Sequence, residues 1–478
     1  MPNNQSVLVS GRFNVLHSGH LRLLRFAKES GYKLIVAVES DRLAGKHAHV
    51  PQDLRLEGIQ SVTWVDEALI YDESINLLIK RIRPDIVVKG KEHEHADNPE
   101  AKELEVYGGQ LKFSSGEAIF SSRDLIRKEF DFFDPKSIEL PIAYLSRHAI
   151  NITQLLILIQ KFKNLKICVI GDLIIDEYIT CEPLGMSQED PTIVVTPLDY
   201  SRFVGGAGIV AAHAAGLGAK VHFISVTGDD TSRKFALEEL IKSGVNANLF
   251  IDKGRPTTLK QRYRSKGKSL LRVSHLHQTA ISEELQNKII CQIEKYITEL
   301  DLIVLSDFNY GCLPQKLVDK IIEQTKSKGI LIAADSQSSS QVGDISRFKG
   351  MNLITPTERE ARISTRNRED GLVVLAEQLR EISNAENILL KLGGEGLLIH
   401  AGSENNCAWV TDRVEALNSS PKDVAGAGDS LLIASAMTLA SGGNIWEAAC
   451  LGSIAAAVQV GRIGNIPLKT EELYQELR

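Results

Sequence analysis

The sequence predicts an α/β protein of two domains, each built on a doubly wound sheet, the second carrying a small β sheet of its own. Three observations predict it. The chain has 478 residues, more than one ordinary core organises. Short apolar runs of strand length alternate with helix-period stretches, and they do so twice. Between the two alternations lies "DFFDPKSIELP", whose Pro135 and Pro141 mark a linker.

In chain order, "SVLVS" is a β-rich run, and "HLRLLRFAKES" places Leu21, Leu24 and Ala27 on one helical face. "YKLIVAVES" and "PDIVVKG" follow as further strands, and short buried strands parted by helices imply a parallel sheet. The first domain spans residues 1–132. Residues 133–163 form a linker and a connecting helix, "NITQLLILIQKF", with Asn151 or Thr153 as its cap. The second domain, 164–478, starts on the strand "LKICVIGDLIIDEYI". The stretch from Tyr178 to Gly206 alternates in a β manner and predicts a small separate sheet. Strand-like runs ("KVHFISVTG", "LDLIVLSDF", "GILIAADS", "MNLITPT", "NILLKLGGEGLLI") then alternate with helices.

Composition narrows the classes. Hydrophobic residues make up 43% and charged residues 24%, the balance of a soluble globular protein. A net charge of −6 gives no global attraction to nucleic acid or anionic membrane, so phosphate binding has to be local. Six scattered cysteines without a C-x-x-C pair read as reduced thiols of a cytoplasmic protein, not a disulfide frame or zinc site. "MPNNQSVLVSG" lacks the parts of a signal peptide, and no apolar run reaches membrane-span length. The expectation is a cytoplasmic enzyme with small-molecule partners, no nucleic-acid or membrane partner and no resident metal.

The first chemistry-bearing stretch is "GRFNVLHSGH", 11–20. A strand delivers Gly11, and a helix begins near Ser18. Helix N-termini offer unpaired amides and a positive dipole end to anions. His17 and His20 share that first turn, and two imidazole donors beside a polyphosphate stabilise charge on a phosphoryl group under in-line attack. These residues resemble the HxGH nucleotidyltransferase superfamily over about the first 130 residues, which implies a Rossmann-like domain. The resemblance continues in "LIVAVESD", "RPDIVVKG" and "FSSRDLI". It implies nucleotidyl transfer from an NTP to a phosphorylated acceptor with Mg²⁺, pyrophosphate leaving. It places Gly11, Phe13, Asn14, Lys89, Ser121 and Ser122 on nucleotide and phosphate. Asn14 stands where the sugar-phosphate branch has Asp, and "GRFN" is similar to the opening of pyridine-nucleotide adenylyltransferases. The segment around Lys46 and Arg55 is short, which leaves those two without a carried-over phosphate role. "KEHEHAD", 91–97, reads as a solvated polar loop rather than a metal cluster.

The second stretch is "DVAGAGDSLLIASAMTLASGG", 423–443. Small residues at Gly426, Ala427 and Gly428 let backbone amides approach an anion. Asp429, opening the helix, can take a proton from an attacking hydroxyl, which is what an alcohol kinase requires. This constellation resembles the ribokinase (PfkB) family over roughly 164–478, which implies a ribokinase-like α/β fold with a small β lid and ATP as phosphoryl donor. It implies Asp172, Asp176, Gly205, Gly206 and Arg262 as substrate-binding residues, and Lys391, Gly393, Gly396 and Glu360 on the nucleotide side. "GMSQEDPTIVV" is similar to the lid segment of heptose 7-phosphate kinases, and such lids build a homodimer interface. Ile209 replaces the family's Asn after the diglycine and Thr357 replaces the Asn of N-x-x-E. Tyr310 and Gln337 stand where heptose kinases have lysines. These changes alter substrate recognition while leaving base and anion hole in place. Arg262, Arg264 and Arg272 either pair with a sugar phosphate or form an exposed charged hairpin.

Together the halves resemble the bifunctional heptose kinase/adenylyltransferases of lipopolysaccharide precursor synthesis, with the domain order reversed. Two alternatives stay open: a degenerate kinase half serving as sugar sensor or dimerisation scaffold, and a coenzyme adenylyltransferase fused to a kinase.

Overall fold

In a computed structural model, the described residues are 5–14, 16, 18–45, 48–90, 98–114, 138–190, 192–265, 268–326, 328–337, 343–402 and 410–477. The chain divides into two compact units, Met1–Pro135 with Arg366–Leu375, and Lys136–Thr365 with Ala376–Arg478.

Among the described residues the first unit holds five parallel strands, β1 (Ser6–Gly11), β2 (Lys33–Glu39), β3 (Glu67–Tyr71), β4 (Ile86–Gly90) and β5 (Gln110–Ser114), in the order β3-β2-β1-β4-β5. Alternation along β1 explains the double winding. Val7 and Val9 pack with Leu23 and Leu24 on one face, while Leu8 packs with Leu78 and Ile79 on the other. Strands β3 and β5 are absent from the sequence-based expectation: "EALIY" and "QLKFS" are short and half-polar, and they pair at the edges. The order reverses between β1 and β4, and ligand crevices in such sheets open at the carboxyl ends of strands beside that reversal. Gly11 and Lys89 stand there.

The described residues of the second unit form two sheets. The larger contains β6 (Lys166–Gly171), β9 (Lys220–Thr227), β10 (Asn246–Ile251), β13 (Leu302–Asp307), β14 (Leu331–Ser336), β15 (Leu353–Ile354), β16 (Asn387–Lys391), β17 (Leu397–Ala401) and β18 (Thr411–Val414). Their order is β10-β9-β6-β13-β14-β15-β16-β17-β18, parallel as far as β16 and antiparallel beyond it. The smaller sheet, ordered β12-β11-β7-β8, contains β7 (Leu173–Met186), β8 (Ile193–Gly206), β11 (Thr258–Ser265) and β12 (Lys268–His275). This is the small sheet expected from the alternation after Tyr178.

Helices Ala427–Ala440 and Ile445–Val460 are apolar nearly all round, so they are buried side by side in the core. The segment read as linker and connecting helix needs a correction. Helices Ile142–Arg147 and Ile152–Lys161 place Tyr144, Leu145, Leu155, Leu158 and Ile159 in the core of the second unit, so they are part of it. Asn151 is the cap, accepting from the Thr153 amide.

Candidate functional site

The helix Ala427–Ala440 opens into a cleft of about 480 Å³ in the second unit. Its N-cap, Gly426, takes φ +77°, and a Cβ there would lie 2.6 Å from the Asn465 Oδ1. Only glycine fits both demands. The Ser430 amide donates to the Gly426 carbonyl at 3.0 Å, so the Gly428 and Asp429 amides ahead of it have no partner one turn back. They leave a mouth of bare amides, an arrangement that suits an anion. A Cβ on Gly428 would sit 3.2 Å from the Lys391 Nζ, so that ammonium stands beside the same mouth.

Asp429 is buried, and desolvation pushes its carboxyl up to about 7. Neighbouring Asp335 and Asp176 add to the rise, while Lys391 and Lys260 oppose it. A base that titrates near neutrality matches proton abstraction from an alcohol. The Gln337 Nε2 donates to the Asp429 Oδ1 at 3.0 Å and fixes the orientation of the carboxylate. Lys391 donates to the Asp335 Oδ2 at 2.8 Å. Burial disfavours its charge, but the carboxylates of Asp335, Glu360 and Asp429 outweigh burial and hold it above the ordinary lysine value.

The small sheet supplies the opposite wall. The Asp176 Oδ1 accepts from the Arg262 Nη1 at 2.5 Å, and its Oδ2 accepts from the Asn465 Nδ2 at 3.1 Å. Gly205 and Gly206 allow this approach. A Cβ on Gly205 would fall 2.4 Å from the Asp176 Oδ2, and one on Gly206 would fall 2.4 Å from the Asp172 carbonyl. Thr357 and Glu360 line the cleft as a reciprocal helix cap, the Thr357 amide donating to the Glu360 Oε2 at 2.7 Å. Gly393 and Gly396 line it too, and Gly396 at φ +92° approaches the Val414 carbonyl too closely for any side chain.

The cleft thus gathers Asp429, Asp176, Arg262, Glu360, Lys391, Gly206, Gly393, Gly396, Gly426, Ala427 and Gly428, while Gly205, expected on the substrate, backs Asp176 from outside the lining. Asp172 does not join them. It is 4% exposed, and its carboxylate accepts from the amides of Phe308 (2.9 Å), Tyr310 (3.2 Å) and Cys312 (3.1 Å). It braces a loop rather than meeting a substrate. Tyr310 and Ile209 are buried outside the cleft wall. The cation near Tyr310 comes from another strand: the Lys260 Nζ lines the cleft 5.2 Å from the Tyr310 ring centre and 5.4 Å from that of Phe308. Arg264 lies over the Tyr178 ring, and Arg272 is exposed on β12.

In the first unit the turn after β1 is held by Phe13. It takes φ +49°, rare for a bulky residue, with its ring in the core and edge-on to His20 at 5.1 Å. Gly11 makes room for that ring, since a Cβ would meet it at 3.2 Å. His20 lies in the first turn of helix Ser18–Glu29. The Asn14 Oδ1 accepts from the His49 amide at 2.9 Å, an anchor for the following loop. Arg55 is buried and donates to the carbonyls of Val50 and Arg12 and to Asp41, so it is a brace. Lys89 is engaged by Glu100 at 2.8 Å and Asn98 at 2.9 Å. His17, Lys46, residues 91–97, Ser121 and Ser122 lie outside the described residues.

Sequence reasoning missed Lys260 and Asn465 in the cleft, and it singled out Gln337 without linking it to Asp429. Lys260 and Arg262 sit two apart on one strand, a period that faces both to one side, so Lys260 was findable. Asn465 carried no local signal, standing 289 residues from Asp176.

Comparison with known proteins follows this division. The profile of the pfkB family of carbohydrate kinases matches residues 164–471, and a cytidylyltransferase-like profile matches residues 8–130. The bifunctional protein HldE of Desulfatibacillum aliphaticivorans is 31% identical over 324 residues, 67% of this chain and 64% of that protein. That of Helicobacter hepaticus is 32% identical over 319 residues, 66% of this chain and 64% of that protein. The matched stretch thus spans less than two thirds of these relatives' length. Among solved structures, a carbohydrate kinase from Agrobacterium tumefaciens superposes with TM-score 0.51 at 19% identity, over 66% of this chain and 97% of that one. Phosphofructokinase-2 from Escherichia coli gives 0.52 at 17%, over 66% and 97%. Both share the fold. With a profile matched over well more than half its length, the chain belongs to the pfkB family of carbohydrate kinases.

Proposed function

We propose that the chain is a bifunctional enzyme of nucleotide-sugar synthesis. Its second unit phosphorylates a phosphosugar of the heptose 7-phosphate class at the anomeric hydroxyl with ATP. Its first unit transfers a nucleotide, from ATP, to the sugar 1-phosphate once a separate phosphatase has removed the distal phosphate. The observation that carries this reading is Asp429: a buried carboxylate titrating near 7, at the mouth of a glycine-capped helix, sharing one cleft with Asp176 and Arg262.

In the first reaction Asp429 takes the hydroxyl proton as that oxygen attacks the γ-phosphorus, and ADP leaves. The Gly428 and Asp429 amides and the Lys391 ammonium face the charge that builds on the transferred group. In the second, a phosphate oxygen of the sugar 1-phosphate attacks the α-phosphorus and pyrophosphate leaves, with His17 and His20 donating to the phosphoryl oxygens. Mg²⁺ belongs with the nucleotide. The cleft's lining offers hard carboxylate oxygens and no thiolate or imidazole, a donor set that suits it, and Glu360 would hold it. It would supply charge neutralisation on the β- and γ-phosphates.

We extend the reading to a cytoplasmic homodimer joined through the small sheet. Leu184, Met186, Ile193, Val194, Leu198 and Tyr200 are exposed along β7 and β8, apolar side chains on one ribbon that a partner copy would cover. Among the described residues no helix is long and apolar enough to cross a membrane. The deciding experiment supplies ATP with heptose 7-phosphate and reads ADP, then supplies ATP with heptose 1-phosphate or nicotinamide mononucleotide and reads pyrophosphate. Phosphorylation of the first and pyrophosphate from the second alone uphold the reading. Pyrophosphate from nicotinamide mononucleotide alone, or no ADP with any sugar, overturns it.

A further inference from the structure

We propose that Gln459 is a positioning residue for phosphoryl transfer. It locks the peptide between Ala425 and Gly426 with the carbonyl inward, so that the Gly426 amide joins those of Gly428 and Asp429 as a third donor to phosphate; this rests on the kinase reading above. Gln459 lies near the end of helix Ile445–Val460, is fully buried and is not part of the cleft's lining. Whatever it does for a ligand, it does through the backbone.

The Gln459 Nε2 donates to the Ala425 carbonyl at 3.2 Å and to the Gly464 carbonyl at 2.9 Å. Its Oε1 accepts from the Arg462 Nε at 3.3 Å and Nη2 at 3.2 Å. Carbonyls only accept and a guanidinium only donates, so these contacts fix which end of the carboxamide is nitrogen and which is oxygen. Both ends are satisfied, as a buried amide requires, and the side chain ties two loops at the head of helix Ala427–Ala440 to each other.

The tie to Ala425 decides where an amide points. No peptide bond here is cis, so the Ala425 carbonyl and the Gly426 N–H face opposite ways. With the carbonyl drawn into the core by Gln459, the N–H turns outward, where Gly426 lines the cleft. Among the described residues nothing accepts from it. Gly426 takes φ +77°, and glycine adopts negative φ as readily, so its own backbone does not choose between this peptide and its flipped form. Asp423 does not choose either, because its Oδ1 holds the Ala425 amide at 3.1 Å, one peptide earlier. A flipped peptide would aim a carbonyl oxygen at the phosphates in place of a donor. Gln459 is what excludes it.

The test measures kcat, KM for the sugar and thermal midpoint with ATP and heptose 7-phosphate, using the full chain as wild type, Gln459→Met, Gln459→Glu and Arg462→Met. Methionine keeps the length of glutamine without its donors. Glutamate keeps the shape and pairs with Arg462, so it folds even where methionine does not, but it offers the Ala425 carbonyl no N–H. Both Gln459 variants are expected to lose about a hundredfold in kcat, with KM for the sugar within about threefold of wild type. Arg462→Met removes the other half of the network, including an ion pair with Glu472, and leaves the Nε2 contacts in place. It is expected to lower the thermal midpoint while holding kcat within about threefold. A folded Gln459→Glu protein with wild-type kcat overturns the assignment, and so does Arg462→Met losing as much kcat as the Gln459 variants, since the network would then only hold the fold together. Both results leave the kinase reading intact. A wild-type protein that phosphorylates no sugar overturns the kinase reading and this one with it.

Discussion

Two glycine-rich turns in this chain, one after β1 and one before helix Ala427–Ala440, each place a residue at positive φ, and they hold it differently. In the second unit the turn residue is Gly426, and its freedom lets a buried polar network close around it. In the first unit the turn residue is Phe13, an L-residue in a left-handed conformation, held there by burying its ring. The strain of such a residue is about 1–2 kcal/mol, less than a buried aromatic ring contributes. The lesson concerns electrostatics. Where backbone alone makes the turn, charges crowd inward and shift one another, as Asp429, Asp335 and Lys391 do. Where a side chain makes it, the mouth sits on an apolar plug.

The sharpest way to break that comparison is Asp429→Asn. ADP formation is expected to fall by about a thousandfold or more, with pyrophosphate release by the first unit unchanged. The same variant probes stability. The carboxyl of Asp429 titrates near 7 in the folded protein, far above its unfolded value. The native state therefore holds the extra proton between those values, and stability declines as pH rises through that window. Asn carries no such loss, so thermal unfolding should show the variant gaining on wild type from pH 5 to pH 8. An advantage that shrinks toward pH 8 would mean the carboxylate is not buried as described.

Next in size is His20→Ala. Nucleotidyl transfer should drop about a hundred- to a thousandfold while sugar phosphorylation holds, and equal loss in both assays would contradict separate sites. Gly205→Ala comes third. Its Cβ would press on the Asp176 carboxylate, so KM for the sugar is expected to rise about tenfold with KM for ATP unmoved. The smallest effect belongs to Gln337→Leu. Losing the amide that donates to Asp429 moves the rising limb of the kcat profile to higher pH, costing about threefold at pH 6.5 and little at pH 8.5. A profile that keeps its midpoint would show that Gln337 does not touch the titrating group.

What was legible in the sequence follows the same divide. "GRFNVLHSGH" and "DVAGAGDS" declared themselves because turn, glycine and helix start are local. The strands β1, β2, β4 and β6 were plain as apolar runs, whereas β3 and β5 owe their existence to neighbours that pull half-polar segments into register. The partners that complete the cleft were opaque for a related reason. Asn465 meets Asp176, and Gln337 meets Asp429, only after the whole sheet order is in place. Arg55, given no phosphate role from the sequence, is held as a brace, and Lys89, expected on phosphate, meets Glu100 and Asn98 across 9 to 11 residues of chain.

The junction from β6 into β7 carries two aspartates that a sequence cannot tell apart. Asp176 faces the cleft; Asp172 ties the amides of three alternate residues in the loop after β13, Phe308, Tyr310 and Cys312, to one point. Neighbouring, chemically identical residues thus carry unrelated tasks. On the proposed reading, a change at Asp176 would leave a folded molecule blind to its acceptor. Drift at Asp172 would let the floor under a still-competent recognition surface come loose, so the same amino-acid change yields a specificity defect at one and a heat-sensitive protein at the other.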